Sequence, residues 1–426
     1  MLATLKVSAR VISGRILIVC GFVATAAEAQ VSPAGKIEVA KMRPAGLLVD
    51  PYSYMSPPHN AYYFHHIDQL DFRIDRVRRA GPVTPLAVAG GPAPVFGFRA
   101  GLEARGVDLD EYLVRNHVTG FLALRNDTIV VERYLHGANS RSRFVSQSIG
   151  KSVVSILIGA AIEAGKLASV DDPVIRYLPE LAGSGYQGVT IKNVLQMATG
   201  VDYSENYRDS TSGAAKIGAA LITGRPSFAE FAKSMRPTAT PPGTRFEYQS
   251  VNTQVLGLLL ERVTGQPLNR WAERALWSKL GAGADGFFYR AKSQPETCAF
   301  ACFNATLRDY GRIGLLMLGG GAIGGRRVVS EDWVGQSTTP DADYLRPAPP
   351  ATGMPRYGYG YQWWIPSGEE GVFMAIGIYG QAIYVNPAKR VVVVQTSAWP
   401  TPIGDDRLGA ERSAMFAAIA GSVDLR

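Results

Sequence analysis

Residues 152–165 read SVVSILIGAAIEAG, a helical run that is apolar on nearly every side. Such a helix has no face to give to water, so it has to lie inside a large core. The remainder of the chain must supply the layers that cover it. With 426 residues, 46% hydrophobic and 19% charged, the chain can do this as one large domain or two ordinary ones. One residue at the start of this helix does not fit burial. Lys151 stands on its first turn, three residues after Ser148.

The covering layers can be read on both sides of the helix. VTGFLALRNDTIVVERYLHG is two β-rich runs around Arg125-Asn126-Asp127, the pattern of a hairpin. From Asp171 to about Ala291 the pattern is mainly helical, as in TIKNVLQMATG, FAEFAKSM and VNTQVLGLLLERVTG. LRDYGRIGLLMLGGG is a further helix after Thr306. The tail turns to strands in GYGYQWWIP, GVFMAIGIYGQAIYVNP and RVVVVQTSAW, and closes on a helix at GAERSAMFAAIAG. Strands at both ends with a helical middle predict a sheet built from distant segments, with an α-rich insertion. Residues 30 to about 100 are rich in Pro, Gly and aromatics, which reads as an extension wrapped on a domain surface.

The first 29 residues have Lys6, Arg10 and Arg15, an apolar run from Ile16, and Ala27-Glu28-Ala29 before Gln30. This is the order of a secretory signal peptide, and the run is short for a membrane span. Without these residues, 41 basic side chains face 35 acidic ones, a net +6. No Lys/Arg cluster interleaves with aromatics, so the charge suggests solubility rather than nucleic-acid binding. No second apolar stretch is long enough to cross a bilayer. The expectation is an exported protein, periplasmic or secreted, without stable membrane insertion. Cys298 and Cys302, in TCAFAC, could form a disulfide in that compartment or remain two buried thiols. They make a poor zinc site, and no metal or other cofactor is expected.

All five histidines (His59, His65, His66, His117, His136) precede Ser148. The chain has no G-x-S-x-G, no H-E-x-x-H and no phosphate loop carrying a lysine. That leaves nucleophiles that do not need histidine. Ser148-Ile149-Gly150-Lys151 is the chain's one S-x-x-K. On a helix the two side chains share a face. A buried lysine loses its proton more readily and can take the serine's. The helix N-terminus favours a developing oxyanion. Tyr248-Gln249-Ser250 follows Pro242-Gly243 and precedes another apolar helix. A tyrosine hydroxyl held near the lysine can relay protons.

Together, Ser148-Ile149-Gly150-Lys151 and Phe246-Glu247-Tyr248-Gln249-Ser250 resemble the serine β-lactamase and penicillin-binding-protein superfamily. The flanks GKLASVDDPVIRYLPEL, VTIKNVLQMATGVDYSE, PPGTRFEY and NATLRDYGRIGLLML look like its class C β-lactamase-related branch, from about Val118 to the C-terminus. The resemblance implies an α+β fold: an antiparallel sheet flanked by helices, an all-α domain, and the site between them. The division expected is an extension over 30–110 and a hydrolase domain over 111–426. Within the latter, about 111–170 and 292–426 form the α/β part and about 171–291 the helical part.

The resemblance further implies Ser148 as acylated nucleophile, Lys151 as its base and Tyr248 as proton relay. It places the third motif, K-T-G or H-T-G in the family, on Ala375-Ile376-Gly377, with the N–H groups of Ser148 and Ile378 as oxyanion hole. Ser250 stands where the family usually has Asn, and Ala375 where it has a cation that helps hold a substrate carboxylate. The Y-x-S form and the G-x-x-G-Q stretch from Gly377 to Gln381 are closer to the 6-aminohexanoate-dimer hydrolase branch and its carboxylesterase relatives. In that branch a tyrosine about sixty residues after the nucleophile contacts the amide substrate, and Tyr207 is its counterpart here. Substrate contacts are therefore expected from Tyr207, Ser250, Ala375 and Gly377. The function expected is a serine hydrolase of a small-molecule ester or linear amide. The rivals are a β-lactamase or D-alanyl-D-alanine carboxypeptidase, and a non-catalytic binding module on the same fold.

Overall fold

The structure is a computed structural model that describes residues 53–90, 96–99, 106–349 and 356–422. The first 29 residues, and with them the expected export signal, lie outside the described residues.

Eight strands form the main sheet: β1 (Ala87–Val88), β2 (Val118–Arg125), β3 (Thr128–Tyr134), β4 (Tyr357–Tyr359), β5 (Trp364–Pro366), β6 (Phe373–Gly377), β7 (Gln381–Asn386) and β8 (Val391–Ser397). Their spatial order is β4-β5-β6-β7-β8-β2-β3-β1. Every neighbouring pair is antiparallel except β1 with β3, which is parallel. Asn126, with φ +53°, makes the β2–β3 turn where the sequence places a hairpin. The N-terminal hairpin and the C-terminal strands meet at β2 and β8, where Val393 opposes Ala123.

Strands β7 and β8 are buried along their whole length because both faces of the sheet are covered. Alternate residues serve opposite layers. Leu122, Leu124, Val392 and Val394 join the larger core, which includes helix Leu307–Leu318. Phe121, Ala123, Val391 and Val393 join a second core with Met415, Phe416 and Ile419 of the closing helix, Asp406–Gly421. Gly314 lets the first of these helices approach the sheet, since a Cβ there would stand 2.4 Å from a Val392 methyl.

Helix α1 (Ile149–Glu163) is buried from Ile149 through Ala161, as its apolar surface requires. It packs against β6 and against α3 (Ser250–Thr264) of the helical part, which also contains α2 (Gly213–Thr223). No helix among the described residues is long and apolar enough to cross a membrane.

The extension is less superficial than its composition suggests. Arg73–Val77 forms a strand of a second, four-stranded sheet with Gly286–Arg290, Phe303–Ala305 and Phe144–Val145. Tyr54, Phe64, Ile67 and Val77 enter the larger core. Gly286–Arg290, within the stretch read as mainly helical, is extended because it pairs with Arg73–Val77, a partner more than two hundred residues away. Cys298 and Cys302 are joined in a disulfide.

Candidate active site

Ser148 lies at the start of α1, at the junction of three structural layers. The preceding residues are fixed by the Ser146 N–H, which donates to the Phe303 carbonyl at 2.8 Å. Gln147 adopts φ +44°, an uncommon conformation for a residue with a side chain. Ser148 occupies the N-cap position but its side chain makes no capping bond. The hydroxyl is instead engaged by Lys151, whose Nζ donates to Ser148 Oγ at 2.8 Å and to the Phe300 carbonyl at 2.9 Å.

Lys151 is 1% exposed. Burial lowers its pKa from the usual lysine value to about 8, while the nearby Glu205 charge acts in the opposite direction. Its ammonium nitrogen sits 5.0 Å from the centre of the Tyr248 ring. Tyr248 enters from the segment just before α3 and lines the smaller cavity at Ser148 described below. Burial, reinforced by Glu205, pushes the Tyr248 phenol far above its ordinary range. The phenol therefore stays protonated at neutral pH, and the lysine is the stronger candidate for a base.

The carbonyl that holds Lys151 belongs to the short loop closed by the disulfide. Three further bonds fix that loop. Ser146 Oγ donates to the Ala301 carbonyl at 3.1 Å. The Ala299 N–H donates to Gln254 Oε1 at 2.9 Å, and Gln254 Nε2 donates to the Thr297 carbonyl at 2.9 Å. The loop is thereby tied to the approach to α1 and to α3.

The end of β6 passes directly beside the nucleophile's backbone. A Cβ on Gly377 would stand 2.8 Å from the Ser146 oxygen and 3.0 Å from the Ser148 nitrogen, so only glycine permits this approach. The following turn contains Tyr379 at φ +60°. Gln381 clamps it by donating from Nε2 to the carbonyls of Tyr379 and Ser397, at 3.0 and 2.7 Å.

Two of the expected substrate contacts have other partners. Ser250 Oγ and Tyr207 Oη each donate to Glu205 Oε1 at 2.6 Å, and the Ser250 N–H donates to Oε2 at 2.7 Å. A carboxylate at the first turn of α3 also suits the helix dipole. Tyr207 still lines the site, and Ser250 borders its larger cavity. Ala375 lies in the core and lines neither cavity described below, whereas its neighbour Ile376 lines the smaller one.

Two cavities meet at Ser148. The larger, about 510 Å³, is walled by Tyr54, Met55, Ala215, Leu221, Tyr289 and Phe300. The smaller, about 280 Å³, is lined by Tyr248, Tyr357, Trp364, Trp399, Ile403 and Arg412. The Arg412 guanidinium stacks 5.2 Å from the Trp399 ring. None of the five histidines lines either cavity. Glu205, Met55 and Arg412 escape a reading of the sequence because no spacing marks them. The one available hint is that Glu205 stands two residues before Tyr207.

The beta-lactamase family model matches residues 113–417. A 6-aminohexanoate-dimer hydrolase from Paenarthrobacter ureafaciens is 32% identical over 362 residues, covering 82% of this chain and 88% of its own. Among solved structures, a candidate 6-aminohexanoate-dimer hydrolase from Bacillus anthracis superposes with TM-score 0.79 at 22% identity, over 88% of this chain and 97% of that one. A penicillin-binding-protein homologue from Pyrococcus abyssi gives TM-score 0.53 at 17% identity, over 72% and 74%. These two structures share the fold described above.

Proposed function

The chain belongs to the beta-lactamase family and is a serine hydrolase acting on amides or esters, and from that premise we propose that it works through a covalent acyl-enzyme on Ser148. The single observation that carries this reading is the buried Lys151 amine 2.8 Å from Ser148 Oγ. With a pKa of about 8, roughly a tenth of the lysine is unprotonated at pH 7. In that form Lys151 takes the serine proton as Oγ bonds to the substrate carbonyl carbon. The carbonyl electron pair moves to oxygen, where the N–H groups of Ser148 and Ile378 receive it. When the tetrahedral adduct collapses, Tyr248 passes its proton to the departing alcohol or amine and takes in exchange the one held by Lys151. Water then attacks the acyl-serine as Lys151 takes its proton, and collapse of the second adduct returns that proton to the departing Ser148 Oγ and releases the acid.

The substrate proposed is an ester or a small linear amide. The relative that covers most of this chain is named for hydrolysis of a linear amide dimer, which supports the amide side of this reading. The disulfide supports the further proposal that the protein works outside a reducing cytosol. A second reading, β-lactam or D-alanyl peptide cleavage, draws support from Arg412. Arg412 lines the smaller cavity, with its guanidinium over the Trp399 ring, and would give a substrate carboxylate a partner that Ala375 does not.

The test is turnover of p-nitrophenyl esters, short linear amides and nitrocefin by the wild-type protein and by Ser148→Ala. The expected result is ester or amide turnover with a higher kcat/KM than nitrocefin, lost in Ser148→Ala. Nitrocefin hydrolysis faster than ester hydrolysis would select the second reading. Full activity in a folded Ser148→Ala protein would remove both.

A further inference from the structure

The two cavities are not equivalent with respect to Tyr248. Tyr248 lines the smaller cavity and does not line the larger. A group that protonates the departing atom has to stand on the leaving-group side of the tetrahedral adduct. The smaller cavity is then the leaving-group side, and the acyl chain has to extend the other way from Ser148.

The larger cavity suits such a chain. Of its polar lining, Gln147 precedes Ser148, Glu205 is occupied by Ser250 and Tyr207, and Ser210 and Lys216 are solvent-exposed. Beyond them the wall is built from Ala214, Ala215, Leu221 and Phe300, with Tyr54 and Met55 closing it from the N-terminal segment. This segment is anchored firmly on both sides of the site. Tyr54 is buried and packs edge-on to Phe72 at 5.9 Å. Further along, the Phe64 carbonyl accepts from the Val145 N–H at 2.8 Å, three residues before the nucleophile. The Phe64 ring packs on Tyr379 at 5.2 Å, next to Ile378. Asn60 Nδ2 donates to the Trp399 carbonyl at 3.1 Å. Met55 is half-buried at the end of the short 3-10 turn Ser53–Met55, on a fixed wall.

From this geometry we infer, resting on the acyl-enzyme reading above, that the larger cavity is the acyl pocket, that it takes an unbranched apolar acyl chain, and that Met55 sets the chain length accepted. Residues before the family match at 113 thereby determine specificity. The experiment compares kcat/KM for p-nitrophenyl esters from acetate to decanoate in the wild type, Met55→Trp and Met55→Ala. A parallel series of alkyl acetates, from ethyl to octyl, places the same chain on the alcohol side.

The wild type is expected to favour hexanoate or octanoate over acetate. Met55→Trp should lower the octanoate-to-acetate ratio by roughly tenfold or more, the scale on which apolar pockets discriminate chain length. Met55→Ala should move the optimum to longer chains, which keeps the test open if the tryptophan variant does not fold. The alkyl acetate series should not follow either substitution. The inference is overturned if acetate is hydrolysed but the acyl-length profile is flat or unmoved by both variants. It is equally overturned if Met55 substitutions act on the alcohol series instead. Absence of ester and amide turnover in the wild type would instead remove the acyl-enzyme reading on which it rests.

Discussion

The first turn of α1 and the wall of the larger cavity are built in opposite ways. Ser148 and Lys151 are three residues apart on one helix, so their contact follows from helical geometry once the helix is buried. The cavity wall collects residues 54–55, 214–219 and 221, 289, 300–301, 378–379 and 402, which no local rule brings together. The first region forms the chemical centre from a short motif. The second surrounds it with side chains that can change without disturbing that motif. On the proposed mechanism the first region carries catalysis and the second specificity, so substitutions in the two regions should fail differently.

The largest effect is expected at the nucleophile. Ser148→Ala should lower kcat by roughly 10⁴-fold or more, the scale seen when an acyl-enzyme nucleophile is removed, with the unfolding midpoint near that of the wild type. Kinetics and a thermal melt on the same preparation check both halves. Lys151→Ala and Tyr248→Phe should each cost about a hundredfold or more, as expected for positioned proton-transfer groups. If either variant kept more than half of the wild-type rate, the proton path drawn above would be wrong.

Smaller effects should come from the parts that position the centre. Replacing Cys298 and Cys302 together by serine loosens the loop whose Phe300 carbonyl holds Lys151. We expect kcat to fall by about three- to tenfold, with KM changed less, because a misplaced base slows the chemical step. A change confined to KM would point to the cavity wall, which Phe300 also lines. Glu205→Gln should have the smallest effect on rate and the clearest effect on pH. On the proposed mechanism activity needs neutral Lys151, so kcat/KM should rise with pH through a value of about 8. The Glu205 charge raises that pKa, so its removal should move the rising limb to lower pH. A limb that stayed in place, or moved to higher pH, would show that Glu205 does not act on Lys151.

The same contrast explains what the sequence made legible. The S-x-x-K turn, the β2–β3 hairpin and the largely apolar runs of strands β7 and β8 follow short-range rules, and the structure contains each of them. The Y-x-S segment needs a family resemblance to stand out, because nineteen tyrosines make any one of them ordinary. Ser250 and Tyr207 illustrate the limit. Both stand at the site, yet their hydroxyls are committed to Glu205, a residue that no motif marks. Arg73–Val77 is missed because RIDRV is polar and its strand identity comes wholly from pairing with Gly286–Arg290. The motif position of Ala375 predicts a place in the cleft, but its side chain lies in the core. Arg412, from the closing helix, lines the smaller cavity instead.

The most direct measurement is the site of covalent labelling. The protein is treated with a fluorophosphonate, digested, and mapped by peptide mass spectrometry, with residual ester turnover followed in parallel. The account predicts a single stoichiometric adduct on Ser148, activity lost in step with labelling, and neither event in Lys151→Ala on the same timescale. Labelling at another residue, or full esterase activity with Ser148 unmodified after complete labelling elsewhere, would contradict it.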